Sequence, residues 1–240
     1  MSKQVAVIGL GRFGTSLAII LHDAGYEVLA IDKSIDPVES LGSKVTHAVR
    51  ADATNESALQ KLGINSYDVA VVTVGASIQD SVMITILLKK MGVRYIVARA
   101  DNELHGDILA SIGADKIIFP ERDTAVRTGP ILTMQGVVDF IPLANGSGIV
   151  KAKATPYFIG KTLGDIGFGT GAKSGVVVLM IQRGKEGIIN PNIDEVVSHI
   201  DVLIMAGNNI DIEKLMEKAE IAEENEIKKK DNGSKKMHDN

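Results

Sequence analysis

Val5-Ala6-Val7-Ile8-Gly9-Leu10-Gly11-Arg12-Phe13-Gly14, with Thr15 to Ala24, Val28 to Ile31 and Asp32 behind it, is the stretch on which the fold turns. Val5 to Ile8 is an apolar run of strand length, the glycines mark a tight loop, and Thr15 to Ala24 has helical character. A second strand, Val28 to Ile31, ends in Asp32. Each glycine meets a different demand: Gly9 permits the tight turn, Gly11 lets a pyrophosphate come against the backbone, and Gly14 lets helix and strand pack closely. The amides at the helix start then face phosphates, aided by the helix dipole. Asp32, about 20 residues on, is placed to accept hydrogen bonds from ribose hydroxyls. A lone GxGxxG run says little, whereas strand, loop, helix, strand and acid in this order point to a nucleotide site.

The same alternation continues outward. Val38, Leu41 and Val45 have helical spacing, and Thr46 to Arg50 is a third strand ending in Ala51-Asp52-Ala53-Thr54. A polar cluster at a strand's carboxyl end is where open α/β sheets bind ligands. Asp52 can accept from an adenine amino group or, with Thr54, cap the helix Glu56 to Leu62, and both readings stand. Asp68 to Val74 is a fourth strand, rich in β-branched residues and buried on both faces. Gly75-Ala76-Ser77 closes it, and a helix from Ile78 to Met91 follows. Tyr95 to Ala100, a helix from Glu103 to Ile112, and Lys116 to Phe119 complete the series, stopped by Pro120-Glu121. Six strands with five intervening helices predict an α/β fold, a Rossmann-like doubly wound parallel sheet with right-handed crossovers. Arg99 and Glu121 both fall just past strand ends, on the edge that carries the glycine loop. Arg99 can reach a phosphate there, and Glu121 can accept from a ribose or help hold a divalent ion; solvated loop charges are the plainer reading of both.

Asp123 to Gln135 returns to helical spacing, with Pro130 expected to bend or break it. Its exposed apolar side chains suit contact with a second subunit. Val137 to Leu143 is a strand leaving the sheet unit, so the nucleotide-binding domain is read as residues 1–138. Residues 139–215 form a small α+β domain with strands at Gly148 to Ala154, Val176 to Ile181 and Asp201 to Gly207, and a helix from Ile210. Gly167 to Gly171 lacks the Gly-Lys-Ser/Thr ending of a Walker loop and reads as a connection. Residues 216–240 are a charged helical segment and then a tail expected to be disordered.

Composition narrows the function classes. Nothing among the 240 residues is an apolar run of about 20 residues, so a role at a membrane is expected to pass through a partner. The N-terminus enters a strand at once, which leaves no room for a signal peptide. The absence of cysteine excludes disulfides, thiol catalysis and thiolate metal sites and fits a cytoplasmic protein. A net charge of −4 and 4% aromatic residues argue against nucleic-acid binding. Catalysis lacks its groups: His22, His47, His105, His199 and His238 show no metal-ligand spacing, His105 being read as a helix-surface residue, and the Ser77 region has no GxSxG elbow.

Set in order, Val7-Ile8-Gly9-Leu10-Gly11-Arg12-Phe13-Gly14, Asp32, Ala51-Asp52-Ala53-Thr54, Gly75-Ala76-Ser77-Ile78-Gln79, Ile112-Gly113-Ala114-Asp115 and Phe119-Pro120-Glu121 resemble the RCK, or Trk/Ktr-type, regulatory subunits of potassium-uptake systems. Phe158 to Leu163, Ile188-Ile189-Asn190-Pro191 and Asp201-Val202-Leu203 are similar to the companion C-terminal domain. The resemblance covers about residues 1 to 215, with Arg12 inside the glycine loop its most telling position. It implies a non-enzymatic cytosolic gating subunit that binds ATP and ADP, or NAD and NADH, beneath a membrane potassium channel or transporter. By position, Gly9, Gly11, Arg12, Phe13 and Gly14 would cradle phosphates, with Asp32 and Lys33 at the ribose. Asp52, Ala53 and Thr54 would lie by the base, and Gly75 and Arg99 by the phosphates. Glu121 would help place Mg or Ca at the nucleotide. The resemblance further implies homodimers assembling into a ring of four dimers, and it leaves open a cyclic dinucleotide at the C-terminal domain. Asp32 disfavours NADP by repelling its 2′-phosphate. The competing readings are an NAD-dependent oxidoreductase with a minimal substrate domain and a free-standing nucleotide-sensing module.

Overall fold

The computed structural model describes residues 3–75, 77–169 and 174–222. They fall into two compact units, divided between Glu121 and Arg122.

In the first unit, strands β1 (Gln4–Ile8), β2 (Glu27–Asp32), β3 (His47–Arg50), β4 (Val69–Val72), β5 (Tyr95–Arg99) and β6 (Lys116–Ile118) alternate with helices α1 (Arg12–Asp23), α2 (Ile35–Leu41), α3 (Glu56–Lys61), α4 (Ile78–Lys90) and α5 (Glu103–Ser111). The sheet order is β3-β2-β1-β4-β5-β6, and every pairing is parallel. The doubly wound sheet expected from the sequence is therefore what forms. Its two faces follow from the period of two along each strand. Ala6 and Ile8 of β1 join Leu29, Ile31, Ala70 and Val72 in a core closed by Leu59 of α3, Ile84 and Leu88 of α4 and Leu109 of α5. Val5 and Val7 point the other way, to Ala18 of α1 and Val38 and Leu41 of α2. Because β1 pairs with both β2 and β4, the chain leaves it in opposite directions across the sheet, and a crevice opens at its carboxyl end.

The second unit holds most of α6 (Pro120–Thr133), then β7 (Val137–Pro142), β8 (Ser147–Lys153), α7 (Leu163–Ile166), β9 (Val176–Arg183), β10 (Glu186–Ile189), β11 (Asp201–Asn208) and a helix, α8, over residues 209–222. Its sheet, β10-β9-β11-β8-β7, is antiparallel throughout. Ile212, Leu215, Met216 and Ala219 make a stripe along α8 that packs with Phe158, Val150, Leu203 and Met205 into a core on one face. Val177 and Leu179 of β9 are exposed.

Several local expectations change. The division between units falls ahead of residue 138, because Ile131 and Met134 at the end of α6 pack on the second core. Met216 and Ala219 are buried in that core, so the packed unit also extends past 215. Pro130 does not end α6, which continues to Thr133. His105 is not on the helix surface: it is 1% exposed, its Nδ1 accepts the Asp101 amide at 3.4 Å, and the helix turns it inward from an Asn102 cap. Ala76, residues 170–173 of the glycine-rich loop, and the tail from 223 lie outside the described residues.

Candidate functional site

The glycine loop is held from β4. Thr73, buried at the strand's carboxyl end, donates from Oγ1 to the carbonyls of Gly9 (2.5 Å) and Ile8 (3.1 Å). Gly9 takes φ +99°, a backbone conformation that L side chains rarely adopt. Gly14 is where helix and loop touch, and a Cβ there would run into the Gly9 carbonyl and Thr73 Oγ1. A Cβ on Gly11 would meet nothing, since that position faces open space in the crevice. Gly11 is also the cap of α1 and has no side chain to satisfy the helix's first amides, which leaves them for an anion.

Across the crevice, Asp32 accepts the Leu10 amide on Oδ2 at 2.7 Å and the Ser34 amide on Oδ1 at 2.8 Å. Both carboxylate oxygens are thereby fixed, and each keeps a lone pair for a hydroxyl donor. Lys33 Nζ reaches Asp80 Oδ2 on the first turn of α4 at 3.3 Å. Asp52 accepts the Thr54 hydroxyl at 2.7 Å and its amide at 2.9 Å. Those bonds, the hydroxyl first, hold its carboxyl below the usual carboxylate range. The capping role belongs to Asn55, whose Oδ1 accepts the Ala58 amide, so the reading of Asp52 and Thr54 as the cap of α3 is corrected.

Arg99 closes the far end. Its guanidinium lies against Gly75, where a Cβ would overlap it, and Nη2 donates to Glu121 Oε1 at 2.9 Å and forms an ion pair with Asp101 Oδ1 at 3.1 Å. Its Nε is buried with no partner.

These elements enclose a cavity of about 340 Å³, within the range of small-molecule sites. Of the residues singled out from the sequence, Gly9, Gly11, Asp32, Lys33, Asp52, Ala53, Thr54, Gly75 and Arg99 line it. Arg12 and Phe13 sit beside it on the first turn of α1, Gly14 is packed behind the loop, and Glu121 joins it through Arg99. The sequence reading passed over Thr73, Ser34 and Asp80, which also line it. Asp80 carried a usable signal: Ser77 three residues earlier, whose Oγ accepts the Asp80 amide at 3.1 Å, is a helix-start pattern at a strand's carboxyl end. Among the described residues, no group of three or more His, Asp or Glu side chains is placed to hold a metal ion, and no helix is long and apolar enough to cross a membrane.

Residues 5–120 match the TrkA-N domain and residues 149–219 the TrkA-C domain. Ktr system potassium uptake protein C of Bacillus subtilis (strain 168) is 39% identical over 214 residues, covering 89% of this chain and 96% of that one. The chain belongs to the Ktr potassium uptake protein family. Ktr system potassium uptake protein A of Vibrio alginolyticus is 34% identical, over 85% of this chain and 92% of its own. In fold, this Ktr protein is similar to the crystal structure of the GsuK RCK domain, with a TM-score of 0.63, 17% identity and 90% coverage. It spans 48% of that solved chain. Membership identifies the Ktr chain as a non-enzymatic RCK protein, which sets the oxidoreductase alternative aside.

Proposed function

We propose that this Ktr family member is the regulatory subunit of a membrane potassium-uptake system and that an adenine nucleotide in the first unit sets its state. The observation that supports the reading is one crevice with uncapped helix amides at one end and a fixed carboxylate at the other. Gly11 and the uncapped start of α1 face open space at the first, and Asp32 stands at the second with both oxygens fixed.

In this reading the α1 amides, with Arg12 and Phe13, hold the phosphates; Asp32 holds the ribose; Asp52, Ala53 and Thr54 flank the base. A phosphate arriving at Arg99 exchanges with Glu121, whose released carboxylate then joins phosphate oxygens in holding Mg or Ca. A third phosphate changes the charge presented to Arg12, Arg99 and Glu121, so ATP and ADP favour different assembly geometries. A bias of about 1–3 kcal/mol is the usual scale of such coupling. NAD or NADH fits the same cradle. The first unit, up to Glu121, acts as the input domain, and the second unit serves assembly and is the place for a cyclic dinucleotide as second effector. Homodimers, contacting through α6 and its exposed Val126 and Leu132, assemble into a ring of four at the inner face of the cell membrane, held there by the membrane subunit.

The test is potassium flux in vesicles carrying the cognate membrane subunit, with and without this chain, in ATP and then ADP. Flux that depends on the chain and differs between the nucleotides is expected. Flux indifferent to ATP, ADP and NAD alike refutes the proposal.

A further inference from the structure

We propose that Asp80 sets the ligand class of the nucleotide pocket by holding Lys33, so that the site takes adenine nucleotides with free ribose hydroxyls and rejects those phosphorylated at the ribose 2′ position. The inference rests on the nucleotide reading above and concerns only its ribose end.

The sequence puts opposing charges at that end. Asp32 asks for hydroxyl donors, but Lys33 follows it directly, and a lysine beside the ribose is the kind of cation that a 2′-phosphate recruits. Arg50 adds a second basic residue, opposite Asp32 in the β2–β3 register. Asp32 disfavours the 2′-phosphate, and these two cations would offset that preference if they were free.

The structure shows how the conflict is resolved. Lys33 and Asp80 both line the pocket, and Lys33 Nζ pairs with Asp80 Oδ2 at 3.3 Å. Asp80 sits on the first turn of α4, where its backbone amide is held by Ser77 Oγ. The Lys33 charge is also felt at Asp52, where it adds to the Thr54 hydrogen bonds that lower the carboxyl. Arg50 is turned to the backbone, its Nε donating to the Lys33 carbonyl at 3.1 Å. Among the lining residues, Asp32, Asp52 and Asp80 are the carboxylates, Lys33 is paired with Asp80, and the other lining cation, Arg99, is bound to Asp101 and Glu121. Ribose hydroxyls are donors and suit such a wall. A dianionic 2′-phosphate would be repelled by three carboxylates and would have to take Lys33 from Asp80.

The Lys33 side chain is 68% exposed, so the pair contributes little to folding. Its consequence is selection: Asp80 is a specificity-determining residue that withholds a cation from the wrong ligand, an element of repulsion rather than of affinity.

The experiment measures dissociation constants of NAD and NADP by calorimetry at low salt on the full chain, for the wild type, Asp80→Asn, and Asp80→Asn with Lys33→Gln. Removing one charge and freeing another near a dianion is expected to shrink the NADP-to-NAD ratio of dissociation constants by about tenfold in Asp80→Asn, less at high salt. The double variant is expected to restore the wild-type preference, because the freed lysine is gone. An Asp80→Asn ratio within twofold of wild type, or a double variant that keeps the relaxed ratio, overturns the inference while leaving nucleotide binding intact. A wild type that binds neither dinucleotide, nor ADP, overturns the nucleotide reading and this inference with it.

Discussion

Arg99 is held by Glu121: Nη2 donates to Oε1 at 2.9 Å, while Asp101 Oδ1 competes for the same nitrogen at 3.1 Å. The side chain is 20% exposed and its Nε is buried without a partner, so an arginine lining the pocket is already occupied by carboxylates where a phosphate would bind. Replacing one of them should ease the exchange. Glu121→Gln is expected to raise ADP affinity in the absence of divalent ions by about three- to tenfold, the worth of a partly exposed charged hydrogen bond. If Glu121 then helps hold a cation on the phosphates, the same variant loses the enhancement that Mg gives to ATP binding. Calorimetry with ADP plus chelator, and with ATP plus and minus Mg, separates the two effects. A variant unchanged in both would remove Glu121 from the switch.

Gly11 and Gly14 sit three residues apart and should respond oppositely to one methyl group. At Gly14 a Cβ overlaps the Gly9 carbonyl and Thr73 Oγ1, both part of the loop's anchor. Gly14→Ala is therefore expected to destabilise the chain by about 1–3 kcal/mol, seen as a lower thermal midpoint with or without ligand. At Gly11 the Cβ meets no protein atom and φ is −68°, so alanine is conformationally acceptable. Gly11→Ala should melt close to wild type yet lose about tenfold or more in nucleotide affinity, because the methyl stands where the pyrophosphate approaches. Equal melting losses in the two variants would contradict this division of labour.

Those glycines mark what was legible in the sequence. Gly9, Gly11, Gly14 and Asp32 could be assigned because each answers a local backbone or chain-end demand, and the six strands because their apolar runs are short, regular and punctuated. What escaped depends on tertiary contact. Thr73 looks like any strand-end threonine until β4 is placed beside β1, where it clamps the loop. His105 occupies a helix position whose burial depends on which face meets the sheet, and the mixed polar sequence of α5 does not announce it. Asp52 was legible as a polar residue in the right place but not as one committed to Thr54, since Asn55 was an equally good cap within three residues. Pro130 reads as a helix break, yet the packing of Ile131 and Met134 on the second core carries α6 past it.

Arg12 is exposed at the first turn of α1 and does not line the cavity itself, so its partner must be a group that extends out of it over the loop. Phosphates fit that position and adenosine does not reach it. Arg12→Ala is expected to weaken ATP by about 10- to 100-fold, the range of a charged hydrogen bond, and adenosine by less than about threefold. The comparison by calorimetry is internal to one protein, which controls for fold. Equal losses for both ligands would show that Arg12 supports the pocket rather than the phosphates.

The second unit carries its own pH dependence, through Arg183 and Asp201. These residues are cross-strand partners on β9 and β11, and Arg183 meets Asp201 with two bonds, Nε to Oδ1 and Nη2 to Oδ2, both 2.9 Å. Burial pushes the Asp201 carboxyl up, but the Arg183 hydrogen bonds, the Ser198 amide and the positive charge nearby outweigh it and hold the group below its usual range. Because the folded value is depressed, the contribution is complete above the unfolded value of about 3.9 and is lost as pH falls through the folded one. Asp201 has no exposed side-chain surface, whereas Arg183 keeps 29% and can find water if its partner goes. Asp201→Asn should therefore cost about 2–3 kcal/mol at pH 7, somewhat under the loss for a fully buried pair. That deficit should hold steady from pH 7 down to about 5 and narrow below about 4, where the wild type also loses its carboxylate charge. Urea midpoints of both proteins at these pH values, followed by circular dichroism, give the test; a deficit as large at pH 3 as at pH 7 would mean that Asp201 acts through shape and not through its charge.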